Sequence, residues 1–339
     1  MTPSTPDLPP LADVLSELHV VAMPLRTRFR GIDVREATLV RGPAGWGEFA
    51  PFTEYDAAEG AWWLAAGLEA AWLGQPAPLR AAVAVNATVP AVRPEQVAAV
   101  LSQFPGCTTA KVKVGDGSLA EDLARVAAVR EVVPTVRVDA NGLWTVDEAI
   151  TALRAFAEQG PLEYAEQPCA TVEELAAVRA AGTGVPVAAD ESIRRAQDPL
   201  RVARAGAADV AVLKVPPLGG VRRVLALAEV LRTEHGLPVV ISSALDSAVG
   251  MGAGLAAAAA LPGLVHACGL ATGGLLRADV TADVRPVDGV LRAGPVVPDV
   301  ARLQALAAAP ERRMWWEQRL RHCHALLEAG HPAWPPPGI

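Results

Sequence analysis

Five charged side chains recur through the middle of the chain, each at the end of a short stretch of apolar or β-branched residues. In chain order they are Lys113, Asp139, Glu166, Asp190 and Lys214. Successive members lie about 25 residues apart, which is room for one strand, one helix and their two connections. We therefore interpret the five residues as the ends of consecutive parallel strands, where their side chains can meet.

The three acidic members of this series predict a metal site. Carboxylates that converge in one space repel each other, and a bound cation removes that repulsion. The set contains oxygen ligands only, with no His or Cys beside them, and such ligands suit a hard divalent ion. We expect Mg²⁺, with Mn²⁺ as a substitute, to be held by Asp139, Glu166 and Asp190.

The lysines predict proton transfer. Lys111 and Lys113 are two residues apart on one strand and project from the same face, and burying both is costly unless an anion lies close to them. Lys214 is expected to face them from the other side of the site. A metal ion between two lysines suits removal of a proton next to a carboxylate, provided that one lysine has a lowered pKa. A purely structural network of ion pairs is the alternative.

The elements that must carry these residues alternate between strands and helices. Further strand-like stretches cover residues 81–89, 238–245 and 264–272, which makes eight strands in all. Capping boxes start three of the intervening helices, at Ser118 with Glu121, Thr145 with Glu148 and Thr171 with Glu174. This alternation favours a parallel sheet with right-handed crossovers, and eight units close into a barrel whose active site lies at the carboxyl ends of the strands.

The flanking regions predict a second, smaller domain, since the N-terminal region places its strands before its helices. We expect three parts: an α+β capping domain over residues 1–78, the barrel over residues 79–276, and a return segment with helices that pack on the other two parts over residues 277–339. Residues 1–16 look like a loose leader. The polar loop 26–33 contains three arginines and is either an ordinary hairpin turn or a lid whose arginines, Arg28 among them, meet an anionic substrate.

Bulk composition argues against several classes of protein. The chain carries 30 Lys and Arg against 37 Asp and Glu, with no basic tract, so nucleic acids and anionic membranes are unfavourable partners. No apolar stretch is long enough for a membrane span, and the N-terminus lacks the pattern of a signal peptide. The four cysteines form no C-x-x-C pair, which is typical of reduced thiols in a cytoplasmic protein. The expected partner is a small carboxylate, and the oligomeric state cannot be read from the sequence.

The motifs around these residues resemble those of a known family. They are K-V-K at 111–113, V-D-A-N at 138–141, E-Q-P at 166–168, A-D-E-S at 189–192 and V-L-K-V at 212–215. With these motifs in this order, residues 17–297 resemble the muconate-lactonizing-enzyme subgroup of the enolase superfamily. The resemblance implies an α/β fold, a TIM-like (β/α)7β barrel with an α+β capping domain formed by the N-terminal segment and a C-terminal return segment.

The same resemblance implies a role for each residue of the site. The metal ligands of the family match Asp139, Glu166 and Asp190. Its acid/base lysine matches Lys113, and its lysine on the opposite face matches Lys214. Supporting positions around the ion and the base match Lys111, Asn141 and Glu191. The segment 25–33 corresponds to the specificity loop of the capping domain.

Within this subgroup, the segments 240–250 and 268–272 resemble those of the o-succinylbenzoate synthases. Where dipeptide epimerases carry Asp-x-Asp to hold an amino group, this chain reads Gly-Leu-Ala-Thr, which disfavours an amino substrate. The resemblance implies Mg²⁺-dependent dehydration of 2-succinyl-6-hydroxy-2,4-cyclohexadiene-1-carboxylate to o-succinylbenzoate, a step of menaquinone biosynthesis. Contacts to the substrate are expected from Arg28, Ser242, Ser243 and Gly269.

Other activities stay open at this point. An N-succinylamino acid racemase needs the same residues, with both lysines taking turns as the base, and the sequence separates it poorly from a synthase. A cycloisomerase is less favoured. So is a sugar-acid dehydratase, because such enzymes usually carry a His base in a late strand and residues 242–247 contain none. A non-catalytic metal-binding protein is expected to lack a lysine or a ligand, whereas all five residues are intact.

Overall fold

Two sheets of different kinds form the framework of the protein, one antiparallel and near the N-terminus, the other parallel and curled. They are described from a computed structural model that covers residues 6–194, 198–282 and 285–336. Outside the described residues lie part of the predicted leader, residues 1–5, and parts of the predicted C-terminal segment, residues 283–284 and 337–339.

The antiparallel sheet follows a short helix. Helix α1 (Leu11–Ser16) corrects the prediction of a loose leader, because Val14 on this helix is fully buried. The sheet has the order β1 (Leu18–Phe29), β2 (Ile32–Gly42) and β3 (Gly45–Phe49). Strands β1 and β2 form a long hairpin whose turn residues, Arg30 and Gly31, have positive φ angles of 49° and 77°, as type I′ turns require. The predicted loop 26–33 is therefore mostly strand.

Helix α2 (Ala57–Leu68) packs on β3 and continues as a π-helical turn over Glu69–Leu73. Helix and strand approach each other closely at Gly47 and Gly67, where a Cβ on Gly47 would lie 1.9 Å from the carbonyl oxygen of Gly67. The pair of glycines therefore sets the distance between helix and sheet in the capping domain.

The parallel sheet has seven strands, and their order in space is their order in sequence. A short strand, β4 (Ala82–Ala84), precedes it. The seven strands are β5 (Ala87–Val89), β6 (Thr109–Lys113), β7 (Thr135–Asp139), β8 (Ala165–Glu166), β9 (Val187–Ala189), β10 (Val210–Lys214) and β11 (Val239–Ser242). Since every neighbouring pair is parallel, each connection crosses the outer surface of the sheet.

Helices cover that outer surface. They are α3 (Val97–Leu101), α4 (Leu119–Arg130), α5 (Val146–Glu158), α6 (Val172–Ala180), α7 (Glu191–Arg194), α8 (Arg201–Arg204), α9 (Val221–His235) and α10 (Ala248–Ala260). The three predicted capping boxes are confirmed at the starts of α4, α5 and α6. Helix α5 buries one face, with Ala149, Ala152, Leu153 and Phe156 at helical spacing.

The sheet closes into a barrel through a very short eighth strand. The prediction of a strand over residues 264–272 is too long, because only Cys268 and Gly269 form parallel bridges, to Val85 and Ser242 respectively. The backbone N–H of Gly269 donates to the carbonyl oxygen of Ile241 at 2.9 Å. These two residues join the two edges of the parallel sheet, so the predicted barrel architecture is confirmed and its last strand is shortened.

The C-terminal region returns to the antiparallel sheet and to β4, with which it forms a separate two-stranded sheet. Strand β12 (Val290–Arg292) pairs antiparallel with β4, and helix α11 (Val300–Ala305) leads to the long helix α12 (Pro310–Glu328). Helix α12 packs along α2, and its Trp316 meets Phe49 of β3 edge to face, with 5.9 Å between the ring centres. The predicted domain divisions after residues 78 and 276 stay a prediction. Among the described residues, none of the helices combines the length and the apolar character that a membrane crossing requires.

Candidate active site

The five residues of the predicted series lie together at the carboxyl ends of the parallel strands. In the register of the sheet, Lys113 on β6 pairs with Asp139 on β7, which pairs with Glu166 on β8. Asp190 directly follows β9, and Lys214 is the last residue of β10. The three carboxylates are buried. We call these five residues, together with their neighbour Lys111, the charged ring.

Within the charged ring, each carboxylate contacts a lysine. The distances from Nζ to a carboxylate oxygen are 3.0 Å from Lys111 to Asp139, 2.7 Å from Lys111 to Glu166, 2.6 Å from Lys113 to Asp139 and 2.5 Å from Lys214 to Asp190. In this arrangement, no three His, Cys, Asp or Glu side chains of the described residues converge closely enough to hold one metal ion. The ammonium groups neutralise the carboxylates here.

The predicted supporting residues complete the surroundings of the ring. Asn141 accepts a hydrogen bond from Lys113 Nζ at 2.7 Å and donates one to Glu191 Oε1 at 3.2 Å. The other oxygen of Glu191, Oε2, is buried and has no hydrogen-bond partner. Buried carboxylate oxygens need a donor or a cation. Carboxylate oxygens are the ligands that a hard divalent cation prefers, so the chemistry of these side chains fits such an ion.

The carboxylates of the ring differ in pKa because their neighbours differ. Burial raises the pKa of Asp139, but the attraction of Lys111 and Lys113 outweighs this effect and holds the pKa well below its ordinary value. Burial and the negative charge of Asp139 raise the pKa of Glu166 to about 7. Glu166 is therefore the member of the ring that most needs a further positive charge to stay ionised.

The two lysines of β6 also differ in pKa, although they are two residues apart. Burial lowers the pKa of Lys111, but Asp139 and Glu166 raise it well above its ordinary value. Burial likewise lowers the pKa of Lys113. The negative charge of Asp139 raises this pKa, but repulsion from Lys111 lowers it further, so that the net shift is downward. Lys113 is thus the better base of the two, and Lys111 the better permanent cation.

A small cavity of about 30 Å³ lies over the ring. The capping domain lines it with Phe29, Arg30 and Phe52, and the barrel contributes three of the predicted substrate contacts, Ser242, Ser243 and Gly269. A side chain at Gly269 is impossible without rearrangement, because a Cβ there would lie 2.4 Å from Ser242 Oγ. Ligand pockets usually measure about 300 Å³ or more, so this cavity is small for one.

Arg28 does not line this pocket. Its side chain is 68% exposed and lies 3.5 Å from Asp33 on the outside of the hairpin. Side chains alternate along a strand, and since the neighbouring Phe29 points inward, Arg28 points outward. Arg30, at the turn where the alternation ends, lines the cavity instead and stacks on Phe52, with 4.4 Å from its guanidinium carbon to the ring centre.

Arg194 belongs to the site but was not predicted from the sequence. It donates from Nε to Asp190 Oδ1 at 3.0 Å and from Nη2 to Glu191 Oε1 at 2.5 Å. Burial raises the pKa of Asp190, but the attraction of Lys214 and Arg194 outweighs it and the pKa lies below its ordinary value. The signal was present, because an arginine three and four residues after two acidic residues faces both of them on a helix.

Gln167 also orders the site, through the backbone. This fully buried side chain accepts hydrogen bonds at Oε1 from the N–H groups of Asp190 and Ser192, at 3.0 and 3.2 Å. Its Nε2 donates to Cys169 O and to Ser192 Oγ at 2.8 and 2.7 Å. The glutamine of the E-Q-P motif therefore joins the end of β8 to the end of β9, and the motif itself was its signal in the sequence.

Comparison with known families identifies this combination of domains. Residues 94–308 match the family described as "Enolase C-terminal domain-like", and residues 20–71 match "Enolase N-terminal domain-like". The solved muconate lactonizing enzyme from Pseudomonas fluorescens, complexed with muconolactone, superposes with a TM-score of 0.72 at 23% identity, covering 86% of this chain and 98% of that one. The enzyme from Pseudomonas putida gives 0.71 at 21% identity with the same coverage. At such identities the likeness shows the fold.

Several curated relatives are far more similar. The o-succinylbenzoate synthase of Mycolicibacterium smegmatis is 61% identical over 325 residues, which cover 95% of this chain and 100% of that protein. The o-succinylbenzoate synthase of Mycobacterium tuberculosis strain H37Rv is 58% identical, covering 95% of this chain and 98% of that protein. The one from Mycobacterium marinum is 60% identical, covering 94% and 96%. The chain therefore belongs to the enolase superfamily and, within it, to the family of the o-succinylbenzoate synthases.

Proposed function

We propose that the protein is an o-succinylbenzoate synthase, a carbon–oxygen lyase that dehydrates 2-succinyl-6-hydroxy-2,4-cyclohexadiene-1-carboxylate in menaquinone biosynthesis. The observation that carries the proposal is the charged ring, in which a lysine of lowered pKa on β6 and a second lysine on β10 flank three carboxylates. Relatives described as o-succinylbenzoate synthases are 58% to 61% identical over about 95% of the chain, and they support the choice of substrate.

In the proposed reaction, Lys113 acts first as a base and then as an acid. Its neutral amine takes the proton from the ring carbon that bears the carboxylate, and the electrons of that C–H bond are delocalised into the carboxylate. They then form a double bond to the neighbouring carbon as its C–O bond breaks, and the Lys113 ammonium returns the proton to the leaving hydroxyl as water. Lys214 remains charged on the other face and stabilises the developing negative charge.

The proposed cofactor is Mg²⁺, with Mn²⁺ as a substitute, held by Asp139, Glu166 and Asp190. When bound, such an ion supplies positive charge to the substrate carboxylate and so favours loss of the adjacent proton. Lys111 adds a permanent positive charge beside Glu166, at 2.7 Å. Asn141 orients Lys113 through its 2.7 Å hydrogen bond, and Glu191 offers its unpaired oxygen to the same region.

Substrate contacts are proposed from the lining of the cavity over the charged ring. Ser242, Ser243 and Gly269 lie on the barrel side, and Ser243 Oγ is 2.7 Å from Thr272 Oγ1. Hydroxyls of this kind can donate to a carboxylate of the succinyl arm. Arg30 takes the role that the sequence suggested for Arg28, because it is the loop arginine that lines the cavity.

We also propose that the protein acts in the cytoplasm on a small molecule. All four of its cysteines are buried and free of disulfide bonds, which suits a reducing compartment. The proposed division after residue 78 is supported by the change from an antiparallel sheet ending at Phe49 to a parallel sheet beginning at Ala87. The division after residue 276 is supported by the return of β12 to pair antiparallel with β4.

An ultraviolet assay of the purified protein with Mg²⁺ on the cyclohexadiene substrate tests the proposal. We expect rapid formation of the aromatic product and loss of the activity on addition of a chelator. An N-succinylamino acid, followed by polarimetry in parallel, tests the racemase alternative. Racemisation without dehydration would refute the synthase activity, while dehydration that is indifferent to chelator would refute the metal site.

A further inference from the structure

Arg194 uses all three nitrogens of its guanidinium group on identified partners. Besides its bonds from Nε to Asp190 and from Nη2 to Glu191, at 3.0 and 2.5 Å, it donates from Nη1 to the hydroxyl oxygen of Tyr55 at 2.9 Å. The residue is only 7% exposed. Because the guanidinium group is planar and rigid, fixing one nitrogen fixes the direction of the other two. The orientation of both carboxylates is therefore tied to the position of the tyrosine hydroxyl.

Tyr55 belongs to the capping domain and not to the barrel. It lies between β3 and α2 and is buried, with its ring edge-on to Phe52 at 5.7 Å and tilted against Trp63 at 6.1 Å between ring centres. Phe52, three residues earlier, lines the cavity over the charged ring. One short segment of the capping domain thus both covers the pocket and reaches Arg194.

Arg319 of helix α12 fixes the backbone of that segment. Its Nη2 donates to the carbonyl oxygens of Phe52 and Tyr55, at 2.8 and 2.6 Å. The N–H of Tyr55 donates in turn to the Phe52 carbonyl at 3.1 Å, which closes the turn. Since Arg319 is itself buried, these bonds are shielded from water. The C-terminal helix is thereby connected, through Tyr55 and Arg194, to the acidic side of the charged ring.

We propose that Tyr55 and Arg194 are positioning residues for the metal site: they hold Asp190 in the orientation in which it binds a divalent cation and keep Glu191 beside it. Helix α12 supports this arrangement through Arg319. The inference rests on the proposed function, because that proposal supplies the ion. It gives the capping domain a second role beyond covering the substrate, and it gives the C-terminal helix a role in a site that it does not touch.

The test is calorimetric titration of the full chain with Mg²⁺ alone, without substrate. Tyr55→Phe removes a single oxygen and leaves the aromatic side chain packed against Phe52 and Trp63, so the variant is expected to fold. We expect its dissociation constant for Mg²⁺ to rise by about tenfold or more, as for other residues that orient metal ligands. The Mg²⁺ concentration needed for half-maximal turnover rises in parallel, while kcat at saturating Mg²⁺ stays within about twofold.

Arg194→Gln and the double variant complete a thermodynamic cycle. If Tyr55 acts through Arg194, then Tyr55→Phe causes no further loss of Mg²⁺ affinity in the Arg194→Gln background. Arg179→Gln is the matched control, because Arg179 likewise joins a carboxylate across two elements, Asp209 at 2.8 Å, but on the exposed surface. The control is expected to bind Mg²⁺ like the wild type.

Asp190→Asn separates failure of this inference from failure of the proposed metal site. If Asp190→Asn loses Mg²⁺ affinity and Tyr55→Phe does not, the positioning role is overturned and the metal site stands. If neither variant loses affinity, both are overturned. Additive losses in the double variant overturn the connection through Arg194. Should Arg194→Gln fail to fold, Tyr55→Phe decides alone, since a tenfold loss supports the inference and wild-type affinity overturns it.

Discussion

At the scale of single residues, the scarcity of lysine shows where this chain needs an amine. The sequence contains three lysines, and all three belong to the charged ring. The rest of its 30 Lys and Arg residues are arginines. Arginine carries the same charge but does not release its proton in proteins. A chain that uses arginine for its surface charge therefore keeps lysine where a proton must be exchanged or where a compact ammonium group must fit.

Replacing the lysines with arginine separates a base from a fixed charge. Lys113→Arg keeps the charge and removes the base, so we expect turnover to fall by about 100-fold to 10,000-fold, as in Lys113→Ala. Lys214→Arg keeps the charge that Lys214 is proposed to supply, so it is expected to be more active than Lys214→Ala. Turnover of the purified variants measures both effects, with circular dichroism as the check on folding. A Lys113→Arg variant as active as the wild type would exclude Lys113 as the base.

The residues that could be predicted from the sequence are those whose role is fixed by their own strand. Apart from Lys111, each member of the charged ring lies at or directly after the end of a strand, so spacing alone brings Asp139 next to Glu166. Arg30 could not be separated from Arg28, because the side of the hairpin that each one faces depends on where the turn falls. Tyr55 was equally hidden, since its contact with Arg194 joins positions 139 residues apart and no local pattern encodes it.

At the scale of elements, the alternation of strands and helices was readable because each unit repeats the same local signals. The length of the eighth strand could not be predicted in the same way. The apolar stretch around Cys268 is longer than the strand, because its pairing depends on contacts that exist only in the folded barrel. Gly269 illustrates this, because its lack of a side chain makes room for Ser242 on the neighbouring strand. Contacts between elements, rather than propensities within them, set where this strand ends.

Gln167 allows a contact of this kind to be tested. Gln167→Leu leaves the buried N–H groups of Asp190 and Ser192 without their acceptor, and each unpaired group costs about 1–3 kcal/mol. We expect the free energy of unfolding, measured with a chemical denaturant, to fall by that amount for each group. Gln304→Leu, at an exposed position of α11, is the control and should have little effect. Equal stability of the two variants would show that the ends of β8 and β9 do not depend on Gln167.

At the scale of the whole molecule, a buried acidic cluster joins the capping domain to the barrel. Glu48 of β3 accepts a hydrogen bond at Oε2 from the backbone N–H of Ser247, at 3.0 Å, just before helix α10. Its Oε1 is buried without a hydrogen-bond partner, as is Oδ1 of Asp246. Arg35 of β2 donates to the carbonyl oxygen of Leu245 at 3.1 Å in the same region. The two domains therefore meet across carboxylates that have fewer partners than they need when ionised.

The protonation of Glu48, at the contact between the two domains, is expected to make the free energy of unfolding depend on pH. Burial and the negative charge of Asp246 raise the pKa of Glu48 from 4.5 to about 8. Between these values the folded state keeps a proton that the unfolded state releases, so the free energy of unfolding falls as pH rises and the loss is complete above pH 8.

Glu48→Gln imitates the protonated acid, so its stability should decline less over this range, leaving the variant more stable than the wild type at pH 8. Denaturant unfolding between pH 5 and 8 measures the difference, with the exposed Glu95→Gln as the control. If the curves of the wild type and Glu48→Gln run parallel, Glu48 is already ionised in the folded protein at pH 5. The surrounding groups then stabilise its negative charge, and the expected rise in its pKa is absent.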